Sequence, residues 1–207
     1  MTIKQILNSP PQWVCFIRLA AQLTALLIFQ TQPYISISLL VMAELLDMLD
    51  GYLARKYNAT SAFGTIADMV IDRLTPILCF SMLISLHPKW GAIFALLLAL
   101  DLLGHMAMLY SALLMGNLTH HKKLFSNINP LLNLYYAPTG VKRFFMVSTI
   151  VFYDLALATW LIHFLNDALV PSLLLWSITA LGTIKVYIHV LHLYYSFKLT
   201  LPESTYS

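Results

Sequence analysis

Charged side chains are scarce in this chain of 207 residues, in which Asp, Glu, Lys and Arg make up 10% and apolar residues 59%. Soluble domains are about one-quarter charged, so the composition excludes an ordinary water-soluble protein. The formal net charge of +3 and the many large apolar residues exclude an intrinsically disordered chain. Nothing in this balance predicts a nucleic-acid partner, and the mean hydropathy of +0.76 indicates a membrane protein.

Cysteine is equally rare, since the sequence has only Cys15 and Cys79, and both lie in apolar runs. Two distant cysteines exclude a disulfide framework or a zinc ribbon. Met1–Pro11 lacks the apolar core and the small-residue cleavage site of a secretory signal peptide, so we expect no cleaved leader. The length suits one membrane domain over residues 1–207 and leaves no room for a separate soluble domain.

Long apolar runs are what the chain has in abundance. A helix that crosses the hydrocarbon core needs about 20 mostly apolar residues, and six segments meet this requirement. They are Trp13–Phe29, Ile35–Tyr57, Phe63–Leu86, Trp90–Met115, Phe144–Leu165 and Leu169–Tyr195. The sequence therefore predicts an all-α integral membrane protein with a six-helix bundle over residues 12–197. Residues 1–11 have the short mixed pattern of a helix on the membrane surface, and residues 198–207 form a tail.

Basic residues predict the orientation of the six helices, because Lys and Arg are enriched in cytoplasmic loops. With the N-terminus inside, the outer side carries only Lys89. The inner side carries the other basic residues of the connections and termini, which are Lys4, Arg55, Lys56, Lys122, Lys123, Lys142, Arg143 and Lys198. We therefore expect both termini in the cytosol.

Acidic residues inside the predicted spans are the most informative feature of the sequence. Asp47 and Asp50 are three residues apart near the inner end of the second span. Asp68 and Asp72 are four residues apart near the inner end of the third span. Each spacing puts both carboxylates on one helix face. Because an Asp at a helix centre costs roughly 2.5–3.5 kcal/mol on insertion scales, the four need a compensating partner.

The short polar turn Tyr57–Ala62 joins these two spans, so they are expected to pack as antiparallel neighbours and to bring the four carboxylates together. Crowded carboxylates repel one another unless a cation is bound. All-oxygen ligation suits Mg²⁺ or Mn²⁺ better than zinc. The alternative is that the acids simply pair with Arg55 and Arg73, but two arginines do not balance four aspartates.

The four acids belong to a longer pattern. Asp47-Met-Leu-Asp50-Gly51-Tyr-Leu-Ala54-Arg55 is followed, after eight residues, by Gly64-x-x-x-Asp68-x-x-x-Asp72. This stretch resembles, without a gap, the signature of the CDP-alcohol phosphotransferases, which are six-helix membrane enzymes that join a CDP-activated lipid to an alcohol. All eight fixed positions of that signature are present at the family spacing.

The rest of the chain, roughly Pro11 to Leu193, resembles one branch of that family, the eukaryotic-type phosphatidylinositol synthases. The matching features are Arg18 after Pro11-Gln12, Asp101-x-x-x-His105, Thr119-His120, Asn129-Pro130-x-Leu132-x-x-Tyr135-Tyr136, and Lys185 with His192. The chain departs from the branch at Gln12, His121 and Tyr153-Asp154, where Asn, Lys and Asn-Glu are usual. These departures bear on the acceptor alcohol more than on the chemistry.

The resemblance implies a reaction in which CDP-diacylglycerol and myo-inositol give phosphatidylinositol and CMP. It implies two Mg²⁺ or Mn²⁺ ions on Asp47, Asp50, Asp68 and Asp72, with Asp72 also acting as the catalytic base. The residues implied in CDP-lipid binding are Gly51, Ala54, Arg55, Gly64 and Arg18. The residues implied in the acceptor pocket are Asp101, His105, His120 and Lys185.

The resemblance also implies a setting for this reaction. The substrate tails stay among the membrane lipids, the active site faces the cytosol, and the enzyme is a homodimer. The membrane is that of the endoplasmic reticulum if the chain is eukaryotic, and the inner membrane if it is bacterial.

Two alternatives stay open from the residues alone. One is a related transferase whose acceptor is glycerol 3-phosphate, inositol phosphate or serine, although a phosphorylated acceptor calls for more inner cations than Arg73 and Lys185. The other is a cation-coupled or proton-coupled transporter, in which intramembrane acids mark the pathway. Against it, the acids lie toward one end of their helices and the sequence shows no internal repeat.

Three smaller expectations concern the C-terminal half. The polar connection Gly116–Gly140 contains enough apolar residues to fold back onto the helices. Its Tyr135–Tyr136 pair is typical of an interfacial aromatic anchor. Lys185 either meets the acceptor or pairs with Asp154.

Overall fold

The computed structural model describes residues 9–57, 62–116, 128–136, 140–166 and 169–200, and the regular elements in these ranges are all helical. The helices are α1 Pro10–Ile28, α2 Pro33–Lys56, α3 Ala62–Leu86, α4 Gly91–Leu114, α5 Pro130–Tyr136, α6 Gly140–Leu165 and α7 Ser172–Thr200, with a 3₁₀ turn at Pro88–Trp90. The prediction of an all-α protein is confirmed. The predicted surface helix at residues 1–11 falls largely on residues outside this part of the chain.

Five helical segments in the described ranges are long and apolar enough to cross a membrane. They are Pro10–Ile28, Ile66–Leu86, Pro88–Leu114, Val147–Leu165 and Ser172–Thr200. The predicted second span forms the helix α2, but it is not among the five because its sequence contains Glu44, Asp47 and Asp50. The predicted count of six spans is therefore not confirmed.

The helices expose many large apolar side chains and bury several polar ones, a pattern that differs from that of a soluble fold. Leu27 and Leu173 are 81% and 82% exposed, whereas Arg18 and Asp101 are 0% exposed. Large exposed apolar surfaces are unfavourable in water and are typical of helices that face lipid. Together with the five candidate spans, this pattern indicates an integral membrane protein.

The helices group into two compact units. The first unit contains residues 1–91 and 157–169, and the second contains residues 92–156 and 170–207. Helix α6 contributes its C-terminal part to the first unit and its N-terminal part to the second. The single domain over residues 1–207 stays a prediction.

Prolines determine where several helices begin. Pro10, Pro33 and Pro130 are the first residues of α1, α2 and α5. A proline is tolerated there because the first N–H groups of a helix have no partner within it. The connection after α1 is short, and the Ser36 hydroxyl donates a hydrogen bond to the Ala25 carbonyl oxygen at 2.7 Å. This bond holds α1 and α2 together as antiparallel neighbours.

Candidate active site

The first unit contains a cluster in which three aspartates surround one arginine. Arg18 on α1 is fully buried, and its Nη1 lies 2.8 Å from Asp47 Oδ1 on α2. The same nitrogen lies 3.1 Å from Asp68 Oδ1 on α3, and Nη2 lies 2.5 Å from Asp72 Oδ1. We call Asp47, Asp68 and Asp72 the carboxylate cluster. The predicted convergence of the two acidic helices is confirmed for these three residues.

The charges of the carboxylate cluster do not balance within it. A carboxylate oxygen from each of the three aspartates lies within 4.8 Å of the others. Two unit charges about 4 Å apart near a protein surface interact by about 4 kcal/mol, so three carboxylates repel one another strongly. One guanidinium offsets one of the three negative charges, and the surplus favours a bound cation. Because the donors are oxygens and the side chains are 27% to 46% exposed, the arrangement suits a hard, partly hydrated ion such as Mg²⁺ or Mn²⁺.

Gln22 fixes the register of α1 beside the carboxylate cluster. It is fully buried one helical turn after Arg18, and its Nε2 donates to the Ile71 carbonyl oxygen at 3.1 Å and to Thr75 Oγ1 at 2.9 Å. The two side chains therefore hold the same face of α1 against α3. Our sequence prediction did not include Gln22, although its spacing of four residues from Arg18 places both side chains on one helix face.

Several predicted site residues are only partly covered by the structure. Gly64 lies in the first turn of α3, one turn before Asp68. The remaining signature positions lie on α2, and their side chains are outside the described part of the protein; these are Asp50, Gly51, Ala54 and Arg55. His120 of the predicted acceptor pocket is also outside the described residues.

The second unit contains a different polar cluster, built on α4 and α7. Asp101 is fully buried, and its Oδ1 lies 3.1 Å from His189 Nε2 and 3.4 Å from His105 Nδ1. We call Asp101, His105 and His189 the histidine cluster. Sequence reasoning placed the first two together from their spacing of four residues but missed His189. The resemblance had singled out His192 on that helix instead.

Gly104 allows the close approach of α4 and α7 that forms the histidine cluster. A Cβ atom on Gly104 would lie 2.7 Å from the His189 carbonyl oxygen, closer than real Cβ atoms pack. The absence of a side chain therefore lets the two helix backbones approach, one residue before His105. Ser111 and Ser196 continue the same helix contact, with their hydroxyl oxygens 3.4 Å apart.

Helix α5 belongs to the second unit, and its contacts change the interpretation of Tyr135 and Tyr136. Tyr136 OH lies 2.7 Å from His192 Nε2, and Lys185 Nζ donates a hydrogen bond to the hydroxyl of Tyr135. Tyr135 and Lys185 are 3% and 5% exposed. The prediction of an interfacial aromatic anchor is therefore wrong, because these phenols supply partners for buried polar groups. The partner found for Lys185 is this tyrosine rather than the Asp154 considered from sequence.

The Asn129–Pro130 pair explains how α5 begins. Asn129 Oδ1 accepts a hydrogen bond from the Leu131 N–H at 2.8 Å, and Pro130 occupies the first helical position. This is the usual start of a helix, with an Asn cap and a proline that needs no donor partner. Asn129 Nδ2 also donates to Tyr195 OH at 3.0 Å. The predicted folding of the connection back onto the helices is confirmed for this segment.

Several known proteins that share one name have sequences similar to this chain. The chain is 33% identical over 143 residues to the CDP-diacylglycerol--inositol 3-phosphatidyltransferase of Saccharomyces cerevisiae, covering 68% of this chain and 64% of that protein. It is 34% identical over 145 residues to the Schizosaccharomyces pombe protein of that name, covering 69% and 60%. The Homo sapiens protein of the same name is 27% identical over 188 residues, covering 88% and 86%.

The chain thus spans somewhat less than two thirds of the length of the two yeast proteins that it matches. No solved structure matches it significantly. A family profile described as "CDP-alcohol phosphatidyltransferase" matches residues 8–196 of the chain, and this range includes both polar clusters. The signature from Asp47 to Asp72 and this match over most of the chain lead to one conclusion: the chain belongs to the CDP-alcohol phosphatidyltransferase family.

Proposed function

We propose that this protein transfers the phosphatidyl group of CDP-diacylglycerol to myo-inositol, giving phosphatidylinositol and CMP. The observation that carries the proposal is the carboxylate cluster, in which Asp47, Asp68 and Asp72 gather within 4.8 Å inside the family signature. The relatives in yeasts and human that carry the name of this activity support inositol as the acceptor.

The donor set of the carboxylate cluster fits divalent cations, and the family is generally dependent on them. We assign two Mg²⁺ or Mn²⁺ ions to this site, with Asp50 as the fourth carboxylate beside Asp47, Asp68 and Asp72. When bound, the ions neutralise the diphosphate and align the attacking and leaving oxygens.

Asp72 is the proposed catalytic base. The inositol hydroxyl oxygen forms a bond to the phosphatidyl phosphorus, while the bond from that phosphorus to the oxygen bridging to CMP breaks. CMP leaves with the bridging oxygen, and the hydroxyl proton passes to a carboxylate oxygen of Asp72. The Asp72 side chain is 27% exposed, which leaves part of the carboxylate open to an acceptor hydroxyl.

Arg18 is the proposed contact for the lipid diphosphate. Its guanidinium is held among the three carboxylates, which is where the phosphates of a bound CDP-lipid must lie if these carboxylates hold the metal ions. The planar fork of an arginine is suited to phosphate oxygens. By family analogy, the remaining contacts to the CDP-lipid come from Gly51, Ala54, Arg55 and Gly64.

The proposed acceptor pocket draws on Asp101, His105 and Lys185, together with His120. Asp101, His105 and Lys185 offer one carboxylate, one imidazole and one ammonium in buried or half-buried positions of the second unit. A neutral polyol needs both donors and acceptors for its hydroxyls, which this mixture provides. A phosphorylated acceptor would call for a cluster of cations instead.

The setting of the reaction follows the same proposal. The active site faces the cytosol, the protein is a homodimer, and the membrane is that of the endoplasmic reticulum or of a bacterial cell. In this orientation the glycosylation sequons at Asn58 and Asn117 face the cytosol, so both asparagines are expected to stay unmodified. A glycan on either one would contradict the orientation.

An acceptor panel tests the proposed function directly. Purified protein is supplied with CDP-diacylglycerol and, in separate reactions, with labelled inositol, inositol phosphate, glycerol 3-phosphate or serine, each with and without Mg²⁺ or Mn²⁺. We expect labelled phosphatidylinositol and an equal amount of CMP only with inositol and a divalent cation. Transfer to another acceptor would overturn inositol as the substrate. Failure to release CMP under any condition would support a transporter instead.

A further inference from the structure

We propose that Asp101, His105 and His189 bind one divalent transition metal ion, with Zn²⁺ as the best match. One donor atom from each residue lies within 4.8 Å of the others. Asp101 and His189 are 0% and 1% exposed, and His105 is 17% exposed at its side chain. This site would be additional to the carboxylate cluster of the first unit, and metal binding here does not depend on the proposed activity.

The ligand types set the histidine cluster apart from the carboxylate cluster. Two imidazoles and one carboxylate favour transition metals, whereas carboxylates alone favour Mg²⁺ or Mn²⁺. Three protein ligands with one open coordination position are the usual composition of a zinc site that also binds a substrate or water. The two clusters are therefore expected to select different ions.

The hydrogen bond made by His105 prepares its ring for metal binding. His105 Nδ1 lies 2.9 Å from the carbonyl oxygen of Asp101, so Nδ1 is the protonated nitrogen that donates this bond. The Nε2 atom of the same ring then carries the lone pair. Metal-binding histidines usually donate their other ring N–H to a carbonyl or carboxylate in this way, which fixes the tautomer and the ring orientation.

The distances are also compatible with a shared ion. His189 Nε2 and Asp101 Oδ1 are 3.1 Å apart. Two ligands about 2.1 Å from one zinc ion are roughly 3.0–3.4 Å apart, depending on the coordination angle. The His105 ring lies beside this pair, with its Nδ1 3.4 Å from Asp101 Oδ1, and a rotation of the imidazole ring would turn its Nε2 atom toward the same ion. The close crossing of α4 and α7 at Gly104 already holds these two helices together beside the three ligands.

A metal ion here would alter the proposed acceptor pocket. The open coordination position would accept an oxygen ligand, and a polyol hydroxyl is one that fits. This last step alone rests on the proposed function, because it takes Asp101 and His105 to lie in the acceptor pocket.

Zinc retention by the full-length protein tests the proposal. The detergent-purified protein is stripped with a chelator, loaded with Zn²⁺ in excess Mg²⁺ and analysed for bound metal by mass spectrometry. We expect one zinc ion per chain. His105→Gln and His189→Gln should bind zinc at least about tenfold more weakly. His163→Gln, which removes a histidine of the first unit, should bind it like the parent protein.

Cobalt substitution provides a second measurement that does not depend on a single variant. Co²⁺ bound by imidazoles in a four- or five-coordinate site gives stronger visible absorption than Co²⁺ bound by oxygens alone. We expect this absorption in the parent protein and its loss in His105→Gln, whose half-buried position makes misfolding a small risk. Absence of bound zinc in the parent protein would overturn the proposal, as would equal retention by a folded His189→Gln protein. Inositol transfer without zinc binding would leave the proposed function intact and remove this inference alone.

Discussion

The two units of this protein each contain a polar cluster, and the clusters differ in both chemistry and exposure. In the first unit, half-buried carboxylates surround one fully buried arginine. In the second, one fully buried carboxylate lies against two imidazoles, near buried phenols. The first arrangement has a surplus of negative charge and access to solvent, which suits a hydrated cation and a charged substrate. The second arrangement offers a carboxylate, imidazoles and phenols in a buried environment, which suits a neutral polyol or a softer metal.

The clusters also differ in how the chain forms them. The carboxylate cluster draws on three helices that follow one another along the chain, α1 to α3. The histidine cluster pairs α4 with α7, and the phenols of α5 lie close by. The spacing of the acidic residues along their helices therefore predicts most of the carboxylate cluster. The histidine cluster depends instead on a contact between helices that are far apart in the sequence.

Removal of the proposed base in the carboxylate cluster should have the largest effect on turnover. Asp72→Asn should lower turnover by about 10²- to 10⁴-fold, because the amide does not accept the proton of the acceptor hydroxyl. The measurement is inositol-dependent CMP release by purified protein. Asp167→Asn, which changes an acidic residue outside the family signature, is the matched control and should keep near-normal activity. Normal turnover by Asp72→Asn would remove the assigned role.

Replacement of the buried arginine should separate its structural role from that of bound metal. Without divalent ions, Arg18→Gln should lower the free energy of unfolding by about 2 kcal/mol, less than a fully buried pair because its partners are half-exposed. Arg18→Lys should lower the free energy of unfolding by less, since lysine keeps the positive charge but lacks the planar guanidinium. Saturating Mn²⁺ should reduce the difference in stability between the Arg18→Gln variant and the parent protein. Thermal unfolding in detergent measures this difference. A difference that Mn²⁺ leaves unchanged would show that the ion and Arg18 do not share these carboxylates.

Two glycines of the second unit test how tightly its helices pack. Gly104→Ala should destabilise the protein by about 1–3 kcal/mol, because the added Cβ would lie 2.7 Å from the His189 backbone. Gly182→Ala is the matched change on α7, where the nearest atom is the Ala156 Cβ at 3.3 Å, and should cost less. Thermal unfolding of both variants checks the order. Equal stability of the two variants would contradict a tight crossing at Gly104.

The buried lysine should affect the acceptor more than the lipid. Lys185→Met should raise the KM for inositol about tenfold, equivalent to about 1.4 kcal/mol, and should leave the KM for CDP-diacylglycerol nearly unchanged. Tyr135→Phe, which removes only the hydroxyl partner of Lys185, should cause a smaller rise. Steady-state kinetics with each substrate varied in turn measures both constants. A selective effect on CDP-diacylglycerol would move Lys185 out of the acceptor pocket.

Much of the fold and part of the site were predictable from sequence, for physical reasons. Apolar runs near 20 residues indicate helices that face lipid, and the observed helices lie close to the six predicted spans. Spacings of three and four residues place acids on one helix face, so the convergence of Asp47, Asp68 and Asp72 followed from helix geometry and a short turn.

The remaining features depend on contacts that no local pattern reports. Arg18 is separated by most of two helices from the acids it contacts, so its three partners could not be read from spacing. Aromatic pairs are common at membrane interfaces, so the sequence predicts an anchor at Tyr135–Tyr136, yet the structure buries Tyr135 against Lys185. His189 was missed because only the crossing of α4 and α7 at Gly104 brings it to Asp101.

Calorimetric titration of the purified protein with Mn²⁺ addresses most directly the claim that the three aspartates around Arg18 form a divalent cation site. The account predicts saturable binding to the parent protein and an affinity at least about tenfold weaker in Asp68→Asn. The result that would contradict it is an absence of saturable binding, or binding that Asp68→Asn leaves unaltered.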